Sequence, residues 1–550
     1  MSKINITALG GLNEVGKNMY VIEVDGKIYV FDAGLKFNID NIYGVDYILP
    51  DFTYLKNNID RVEGFFITHP HISNMGALVD ILKDEPRFKV YGSNLTIEIL
   101  KSELESDGLD PKEFNLNKLK AHKMVDIGGN TLFPIQVTHS VPESFLYVLY
   151  TPDGSIVYTG DYLFDTALKG KYACDLGKLA YVGKGNVLCL LGESSYAKNE
   201  GYTVPRNRSV RYIEEIFSST KNRIISTIDI DHVYRMQEIM DVAEKEHKKI
   251  IIMGKDLQNR INLLMDLGYL SFKGEIGSLR NLEDNNIIIL VKDDNINPFF
   301  NLDRIAKGFD KYIKLNKEDI VFISEPGKEG LERQKAEIMD LLSPKVSDVI
   351  TMDGNHLLFH PSKEDVRMMI NLIHPKYYFP VRGEYKDQVY NADIAYEEGF
   401  SKDDIILKEN GQVVTFENGR LLKKNFKTIK VDEILVDGKV GDDVGDLVLK
   451  DREALGNSGI VVVTASLSRK TKKLIAGPEI VTKGFVVASN NEEIFERSKE
   501  ITREILETEI TSNNRVDFNE IKNSLRKKLG NYYYEETEIR PLVISVIQEV

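Results

Sequence analysis

The stretch FFITHPHISNMGAL, from Phe65 to Leu78, decides the fold of this chain. It opens as a buried strand at Phe65, and its apolar spacing predicts a helix that begins near Met75. Between the two lie His69 and His71, two residues apart on a tight turn. Such spacing puts two imidazoles on one side of a strand end, which is a frequent start of a zinc site.

The composition indicates a large, ordinary globular protein. A chain of 550 residues is too long for one core, so we expect two to four domains. The two cysteines, Cys174 and Cys189, exclude a disulfide framework and a cysteine-rich zinc site, and they fit a reducing compartment. No signal-peptide core and no run of about 18 apolar residues occurs, so we expect a cytoplasmic protein without a membrane segment. The net charge of −14 argues against a general nucleic-acid coat but leaves a local basic groove open.

Further polar residues stand where other apolar strands end. Asp32 closes a strand near the N-terminus, and Glu193 follows a strand at 187–191. The segment VTHSVPES contains His139, and the segment YTGD contains Asp161; both follow predicted strands. This pattern predicts an α/β sandwich with its polar residues gathered at strand ends.

The rhythm changes near Pro205, where helices and strands begin to alternate strictly. Such alternation over 208–342 predicts a parallel, doubly wound second domain. The segments HLLFHPS and YYFPVRGEY then indicate a return to the first domain. We therefore predict a first domain in two parts (1–204 and 356–425), an inserted domain (205–355), an extended linker (426–452) and a small α/β C-terminal domain (453–550).

These motifs, taken in order, resemble those of ribonuclease J. They are TALGGLNEVGKNMYVIE, FDAG, THPH, VTHSVPES, YTGDYLFD and PVRGEY, followed by DVGDLVLKDR and AGPEIVTKGFV in the tail. The resemblance covers essentially the whole chain. It implies a metallo-β-lactamase αββα sandwich interrupted by a doubly wound β-CASP domain, with a C-terminal α/β domain for dimerisation.

The resemblance also assigns a metal site. It implies that His69, His71 and His139 hold a first metal, that Asp161 bridges, and that Asp32 supports the site from behind. In the family two metals lie between these motifs, and a bridging water or hydroxide attacks a phosphodiester. Any one of the histidines alone would be better explained as a hydrogen-bonded core residue, but the match of all three to motif positions favours a metal site. Asp32 has an alternative too, as a strand-end aspartate that caps a turn.

The second-metal positions depart from the family pattern. Ser73 and Asn74 replace its aspartate and histidine, and Arg382 replaces its later histidine. Hydroxyl and amide oxygens are poor substitutes for carboxylate and imidazole, and a guanidinium stays protonated. We therefore expect at most one Zn²⁺ per chain, or none. Our hypothesis is that Arg382 stands in for the second metal by pairing with Asp161, the alternative being a solvent-facing loop arginine.

The RNA-holding positions are partly kept. In the family His360 interacts with the scissile phosphate or transfers a proton, so we predict His360 and Asp161 as catalytic residues. The loop from Asp293 to Pro298 replaces a glycine loop, and its two aspartates should repel phosphate. Ser362 could instead simply cap a helix. The residues that we predict to contact RNA are His356, His360, Ser362, Glu193, Ser194 and His232.

The chain is most like the degenerate second paralogue of bacteria that carry two. That implies an RNA-processing protein of a 5′–3′ exo- and endoribonuclease family, acting in mRNA decay and rRNA maturation, with weak or no activity. It would bind RNA and an active ribonuclease J, as a homo- or hetero-oligomer of two or four chains. The alternatives are a one-zinc hydrolase or endoribonuclease active on its own and an RNA-binding assembly protein without metal. A small-molecule hydrolase is the least favoured alternative because of the inserted domain.

Overall fold

The computed structural model describes two compact units. One comprises Met1–Phe37 and Tyr47–Ile434, and the other Asn38–Asp46 and Leu435–Val550. None of the described helices combines the length and the apolar character needed to cross a membrane. The described residues are 2–37, 44–293, 299–326, 330–352, 355–423, 427–437, 446–471, 473–485, 492–512 and 518–550.

The first part of the larger unit alternates short strands with a few helices. Its helices are α1 (Thr53–Lys56), α2 (Ile72–Met75), α3 (Leu78–Asp84), α4 (Asn94–Ser106) and α5 (Leu176–Gly183). Its strands are β1 (Lys3–Gly10), β2 (Met19–Val24), β3 (Lys27–Phe31), β4 (Lys36–Phe37), β5 (Tyr47–Pro50), β6 (Val62–Phe66), β7 (Lys89–Gly92), β8 (Asn115–Lys118), β9 (Val125–Ile127), β10 (Asn130–Val137), β11 (Ser144–Thr151), β12 (Gly154–Tyr158) and β13 (Val187–Glu193).

The inserted part then alternates helices and strands, and the chain returns afterwards to the first part. The inserted elements are α6 (Val210–Ser218), β14 (Ile224–Asp229), α7 (Val233–Lys245), β15 (Lys249–Met253), α8 (Lys255–Asp266), β16 (Ile287–Asp293), α9 (Phe300–Ala306), β17 (Ile320–Ile323), α10 (Glu332–Leu342) and β18 (Asp348–Thr351). The returning elements are α11 (Lys363–Ile373), β19 (Tyr377–Val381), α12 (Tyr385–Glu397), β20 (Val414–Glu417) and β21 (Arg420–Leu421).

Two mixed sheets form the sandwich. One has the strand order β21-β20-β1-β2-β3-β6-β7-β8, and the other β19-β13-β12-β11-β10-β9. Aromatic side chains fill the space between them; the Tyr20 and Tyr158 rings lie 5.2 Å apart, and Phe31 packs on both Tyr158 and Phe66. Helices α5, α11 and α12 cover the outside of the second sheet through a separate apolar cluster. The αββα sandwich expected from the sequence is therefore confirmed.

The inserted domain is built on one parallel sheet. Its strand order is β15-β16-β14-β17-β18, and every neighbouring pair runs parallel. The strands are almost wholly apolar, as in β16, where Ile287 to Val291 are buried. Strands buried on both faces have continuous apolar sequences, so the doubly wound pattern could be predicted from the sequence.

The smaller unit is an α/β layer. It contains α13 (Asp446–Ser458), β23 (Ile460–Leu467), β24 (Leu474–Lys483), α14 (Glu492–Ser512), α15 (Phe518–Thr537) and β25 (Leu542–Glu549). The strand β22 (Glu433–Val436) precedes these elements in the chain. Strand β23 pairs antiparallel with β24 and parallel with β25. Leu525, Leu529 and Tyr533 of α15 are buried in its core. The face on which Val481, Val462 and Ile544 stand side by side is partly exposed.

Two local predictions differ from the structure. The helix expected from Met75 to Lys83 is instead a short α2 and then α3, separated at Gly76 and Ala77. Helix α13 begins at Asp446, inside the segment 426–452 for which the sequence predicts an extended linker. The domain boundaries given above remain predictions.

Gly34, which follows β3, allows the backbone of the turn that carries His69 and His71 (the HxH turn) to pack closely against it. A Cβ added at Gly34 would lie 1.6 Å from the main-chain oxygen of Ser73. We expect Gly34→Ala to lower the free energy of unfolding by about 3 kcal/mol or more, because neither backbone can move aside. Urea unfolding measures it. The control is Gly530→Ala in α15, where nothing lies within 4 Å and a gain of up to about 1 kcal/mol is expected. A Gly34→Ala protein as stable as wild type would contradict this close approach.

Candidate metal and substrate site

The strand order brings the predicted site residues to one edge of the sandwich. Asp32 follows β3, and His69 and His71 follow β6, which runs parallel to β3. In the facing sheet, His139 and Asp161 follow β10 and β12, and two further residues, Glu193 and Arg382, stand at the ends of the parallel strands β13 and β19. The carboxyl ends of these strands meet at the same edge, which explains how residues far apart in sequence converge.

Three imidazoles and one carboxylate converge there. The Nε2 atom of His69 lies 3.4 Å from Oδ2 of Asp161, and the Nε2 atom of His139 lies 3.6 Å from the same oxygen. The Nε2 atom of His139 is also 3.3 Å from Nδ1 of His71. The four donor atoms all lie within 4.8 Å of one another. Imidazole nitrogen and carboxylate oxygen are ligands that suit zinc.

In each of the three histidines, the ring nitrogen that points away from the cluster has its own hydrogen-bond partner. These partners orient the rings. Nδ1 of His69 lies 2.9 Å from Oγ1 of Thr68, and Nδ1 of His139 lies 2.8 Å from the main-chain oxygen of Phe359. Nε2 of His71 lies 3.2 Å from the main-chain oxygen of Asp231. A carbonyl oxygen only accepts, so the outer nitrogens of His71 and His139 carry the proton and their inner nitrogens present a lone pair. Such outer partners orient metal ligands.

Burial keeps the three histidines neutral. Desolvation is the largest cause that holds the pKa of His69, His71 and His139 well below the ordinary range, and the charge of Arg382 lowers all three further. Among the described residues, neither Nε2 of His69 nor Oδ2 of Asp161 has a hydrogen-bond partner, although both are buried. Two unsatisfied buried acceptors that face one another fit a bound cation, so these four residues suit a first metal.

Arg382 lies beside Ser73 and Asn74, the other residues at the predicted second-metal positions. Nη1 of Arg382 contacts Oδ1 of Asp161, and Nη2 lies 3.4 Å from Oγ of Ser73. Nη1 also lies 3.5 Å from Oδ1 of Asn74, and Nε lies 3.8 Å from Oε1 of Glu193. The residue is 8% exposed, so it lies within the site and does not face solvent. A hydroxyl, an amide and a cation do not fit a second metal.

Asp32 organises the floor of the site. Its Oδ1 accepts hydrogen bonds from the amide and the hydroxyl of Thr68, at 2.8 and 3.0 Å. Its Oδ2 accepts from Nδ2 of Asn74 and from the hydroxyl of Tyr158, both at 2.7 Å. Burial raises the pKa of Asp32 to about 6 against the opposing effect of these donors. The Asn74 amide is therefore committed to Asp32, while its oxygen accepts from the Ser73 hydroxyl at 2.7 Å.

A second polar pair adjoins the first cluster. Nδ1 of His360 lies 2.6 Å from Oε1 of Glu193 and 3.8 Å from Oδ2 of Asp161. The ring of Tyr196 stacks on the His360 ring with centroids 5.1 Å apart. Burial raises the pKa of Glu193 well above its ordinary range. The pair can hold and relay a proton beside the cluster of donors.

Other residues predicted to contact RNA lie in supporting hydrogen bonds. The Ser194 hydroxyl donates to the main-chain oxygen of Val381 at 2.9 Å, and the Ser362 amide at the start of α11 donates to Asp365 at 3.1 Å. His232 is buried, and its Nδ1 lies 2.8 Å from Oε2 of Glu325.

The remaining predicted RNA positions lie further along the chain. The His356 ring packs on the Tyr212 ring at 4.9 Å. In the loop predicted to repel phosphate, Asp293 is described and its Oδ1 accepts from the Phe299 amide at 3.0 Å. The rest of that loop, 294–298, lies outside the described residues.

Sequence reasoning missed several residues that shape the site. Thr68 stands next to His69 in the motif, so its role had a local signal that was overlooked. Tyr158 begins the YTGD segment and had a similar signal. The main-chain oxygens of Asp231 and Phe359 carry no signal, because any residue type could supply them.

Comparisons with known proteins agree along the whole chain. Family models described as "Ribonuclease J, beta-CASP domain" and "Ribonuclease J C-terminal domain" match residues 221–342 and 447–550. "Ribonuclease J2" of Bacillus subtilis (strain 168) is 33% identical over 552 residues, covering 100% of this chain and 99% of that protein. "Ribonuclease J 2" of Staphylococcus aureus (strain NCTC 8325 / PS 47) is 32% identical, covering 100% and 98%.

A solved structure shares the fold. The crystal structure of a protein of unknown function from Enterococcus faecalis V583 aligns with a TM-score of 0.50 at 17% identity. The alignment covers 75% of this chain and 100% of that chain. At this identity the likeness concerns the fold alone.

The buried histidines make stability depend on pH. Their pKa values in the folded chain lie below the ordinary value of 6.5, so their contribution is complete above that pH and is lost as the pH falls towards the folded values. Each histidine adds a slope of about 1.4 kcal/mol per pH unit in this range. We expect a lower free energy of unfolding at about pH 5.5 than at about pH 7.5, measured with urea and a chelator.

Two variants test whether these groups cause the expected fall in the free energy of unfolding as the pH decreases. His139→Gln removes one such histidine, so the fall in stability should be smaller than in wild type. Glu193→Gln should make the fall larger, because the raised pKa of Glu193 favours the folded chain as the pH decreases. An equal fall in all three proteins would contradict the assignment.

Proposed function

Because this chain belongs to the ribonuclease J family, we propose that it is an RNA-binding member whose hydrolytic activity is attenuated. It holds at most one zinc ion, and a guanidinium takes the place of the second. The observation that carries this proposal is the buried contact of Arg382 with Asp161. The carboxylate that would bridge two metals is already paired with a fixed positive charge.

One zinc site fits the residues present. His69, His71, His139 and Asp161 would hold the ion, and their outer hydrogen bonds already orient the rings. A zinc ion there would lower the pKa of a bound water and polarise a phosphoryl oxygen. The contact with Arg382 draws charge from Asp161 and should weaken that site.

Arg382 supplies charge but not the chemistry of a metal. Its guanidinium lies among Asp161, Ser73 and Glu193, where it can donate to a phosphodiester oxygen. It cannot lower the pKa of a water molecule by coordination, because a guanidinium has no vacant orbital to accept a lone pair of the water oxygen. These contacts support a chain that can still bind a phosphodiester while its water-activating step is impaired.

The alternative is a one-zinc hydrolase or endoribonuclease that is active on its own. The observation that favours it is the Glu193–His360 pair, held at 2.6 Å beside the donor cluster. In this function His360 would give a proton to the leaving oxygen of the RNA, and Glu193 would orient its ring. His360 and Asp161 are then the catalytic residues.

The partly exposed apolar face of the C-terminal sheet supports the proposal that this chain associates with other protein chains. Val481 is 58% exposed and Ile544 is 41% exposed, and both flank Val462 in one row of the sheet. An apolar row of this kind suits association with a like domain. We propose that the chain acts in the cytoplasm with RNA and an active ribonuclease J, in homo- or hetero-oligomers of two or four chains, and contributes to mRNA decay and rRNA maturation.

Metal content is the first test. We expect elemental analysis of the purified protein to give at most one zinc per chain. His69→Ala should lose it, because it removes one of four ligands. Arg382→His should bind the first zinc more tightly, since Asp161 is released from the guanidinium. Two zinc ions per wild-type chain would contradict the proposal, and no zinc in any variant would leave RNA binding as the only retained activity.

Restoring the second-metal ligands is a gain-of-function test. The variant Ser73→Asp, Asn74→His, Arg382→His should bind two metals and degrade single-stranded RNA at least about 100-fold faster than wild type, because transition-state charge is then stabilised by both ions. The same variant carrying His69→Ala is the matched control and should be inactive. Wild-type activity equal to that of the restored variant would instead favour the one-zinc hydrolase.

A further inference from the structure

A lysine-lined cavity lies in the inserted domain, apart from the metal and substrate site. It has a volume of about 450 Å³ and is lined by Lys307, Lys314, Lys317 and Lys345, which we call the lysine pocket. Among the described residues that line it there is no aspartate or glutamate. A pocket of one charge sign is unusual in a chain whose net charge is −14.

Three of these ammonium groups bond to neutral oxygens. Lys314 Nζ donates to the main-chain oxygen of Asp310 at 2.6 Å and to that of Gly308 at 3.1 Å. Lys317 Nζ donates to the main-chain oxygen of Pro344, and Lys345 Nζ donates to that of Ala306. Within the described part of the chain, none of the three pairs with a carboxylate.

Neutral acceptors position these ammonium groups without cancelling their charge. Lys307 differs, because Asp303 lies 2.8 Å from its Nζ. Three uncompensated positive charges around one cavity repel one another, and an anion placed among them would remove that repulsion. The pocket therefore favours an anionic ligand.

The pocket lies at the edge of the parallel sheet that the metal and substrate site does not use. Its residues precede β17 and β18, whereas Asp231, which contacts His71, follows the carboxyl end of β14. A strand of six residues such as β14 spans about 20 Å, so the two sites stand roughly that far apart. A ligand in the lysine pocket is therefore not the group being hydrolysed.

Aromatic side chains stand on the same segment. Phe309 directly follows the lining residue Gly308 and is 74% exposed, and Tyr312 is 46% exposed. The ammonium group of Lys311 lies 5.2 Å from the centre of the Tyr312 ring. Exposed aromatics beside uncompensated lysines are the pattern of surfaces that bind single-stranded nucleic acid, where bases stack and phosphates meet cations.

We propose that the lysine pocket is an accessory binding site for single-stranded RNA. A backbone phosphate would lie among Lys314, Lys317 and Lys345, and bases would stack on Phe309 and Tyr312. The choice of RNA rests on the proposed function; an acidic peptide would use the charge but not the exposed rings. The site holds a strand at a distance from the hydrolytic residues, so an attenuated enzyme would still retain RNA.

The test is equilibrium binding of a fluorescein-labelled, unstructured oligouridylate by anisotropy, at several salt concentrations. The variant Lys314→Gln, Lys317→Gln, Lys345→Gln keeps a hydrogen-bond donor at each of the three positions but removes the charges. Each neutralised phosphate contributes about −0.7 to the slope of log affinity against log salt for single strands, so losing the one phosphate held among the three lysines should make the slope shallower by about 0.7. Phe309→Ala should weaken binding about 5-fold or more at an unchanged slope.

The control is Lys112→Gln, Lys178→Gln, Lys184→Gln, which removes the same charge from exposed positions elsewhere. Its slope should remain that of wild type. An equal loss in this control and the pocket variant would overturn the site, since net charge alone would then explain binding. Wild-type binding that the pocket variant retains in full would overturn the site and leave the proposed function standing, whereas no RNA binding by wild type would contradict both.

Crosslinking decides where the strand lies and what the pocket recognises. An oligouridylate containing 4-thiouridine should crosslink to the peptide that contains Phe309 and Tyr312, and Phe309→Ala should reduce the yield. Crosslinks confined to other peptides would overturn the proposal. Polyglutamate that displaces the RNA as well as unlabelled oligouridylate does would also overturn it, because charge alone would then be recognised.

Discussion

The arrangement of the site depends on one ion pair, the contact between Arg382 and Asp161. A carboxylate that faces three neutral imidazoles would be costly to bury without a cation, and the guanidinium supplies one. Ser73 and Asn74 are consistent with that solution, because the Ser73 hydroxyl and the Asn74 amide oxygen are neutral acceptors within reach of the guanidinium. The departures from the family pattern at Ser73, Asn74 and Arg382 therefore belong together. They replace the predicted ligands of a second metal by one guanidinium cation and two neutral side chains.

The three histidines proposed to hold the first metal have hydrogen-bond partners on three different segments. Thr68 belongs to the HxH turn, Phe359 to the returning segment, and Asp231 to the inserted domain. Each partner fixes one ring, and the two main-chain oxygens determine which nitrogen carries the proton. The inserted domain therefore contributes directly to the geometry of the histidines, in addition to any part it has in holding RNA.

Much of the fold was predictable because its elements carry local signals. Apolar runs followed by His69, His139 or Asp161 marked the strand ends, and the alternation after Pro205 marked the parallel sheet. The break in the helix at Gly76 was not foreseen, since short helices depend on tertiary contacts more than on propensity. The start of α13 inside the predicted linker was not foreseen either. Pairing of Arg382 with Asp161 could be suggested from charge, but the contacts of His71 and His139 with main-chain oxygens could not, because a carbonyl oxygen leaves no trace in residue identity.

The hydrogen bond from His71 to the Asp231 oxygen joins two parts of the larger unit through a residue that we propose as a metal ligand. Any ion that tightens the His71 ring must also favour the position of the inserted domain in which that oxygen is within reach. Thermodynamic linkage makes the relation reciprocal, so a strand that draws the inserted domain towards the sandwich would raise the affinity for the ion by the same factor. Even where catalysis is weak, metal occupancy would then depend on whether the Asp231 oxygen is within reach of His71.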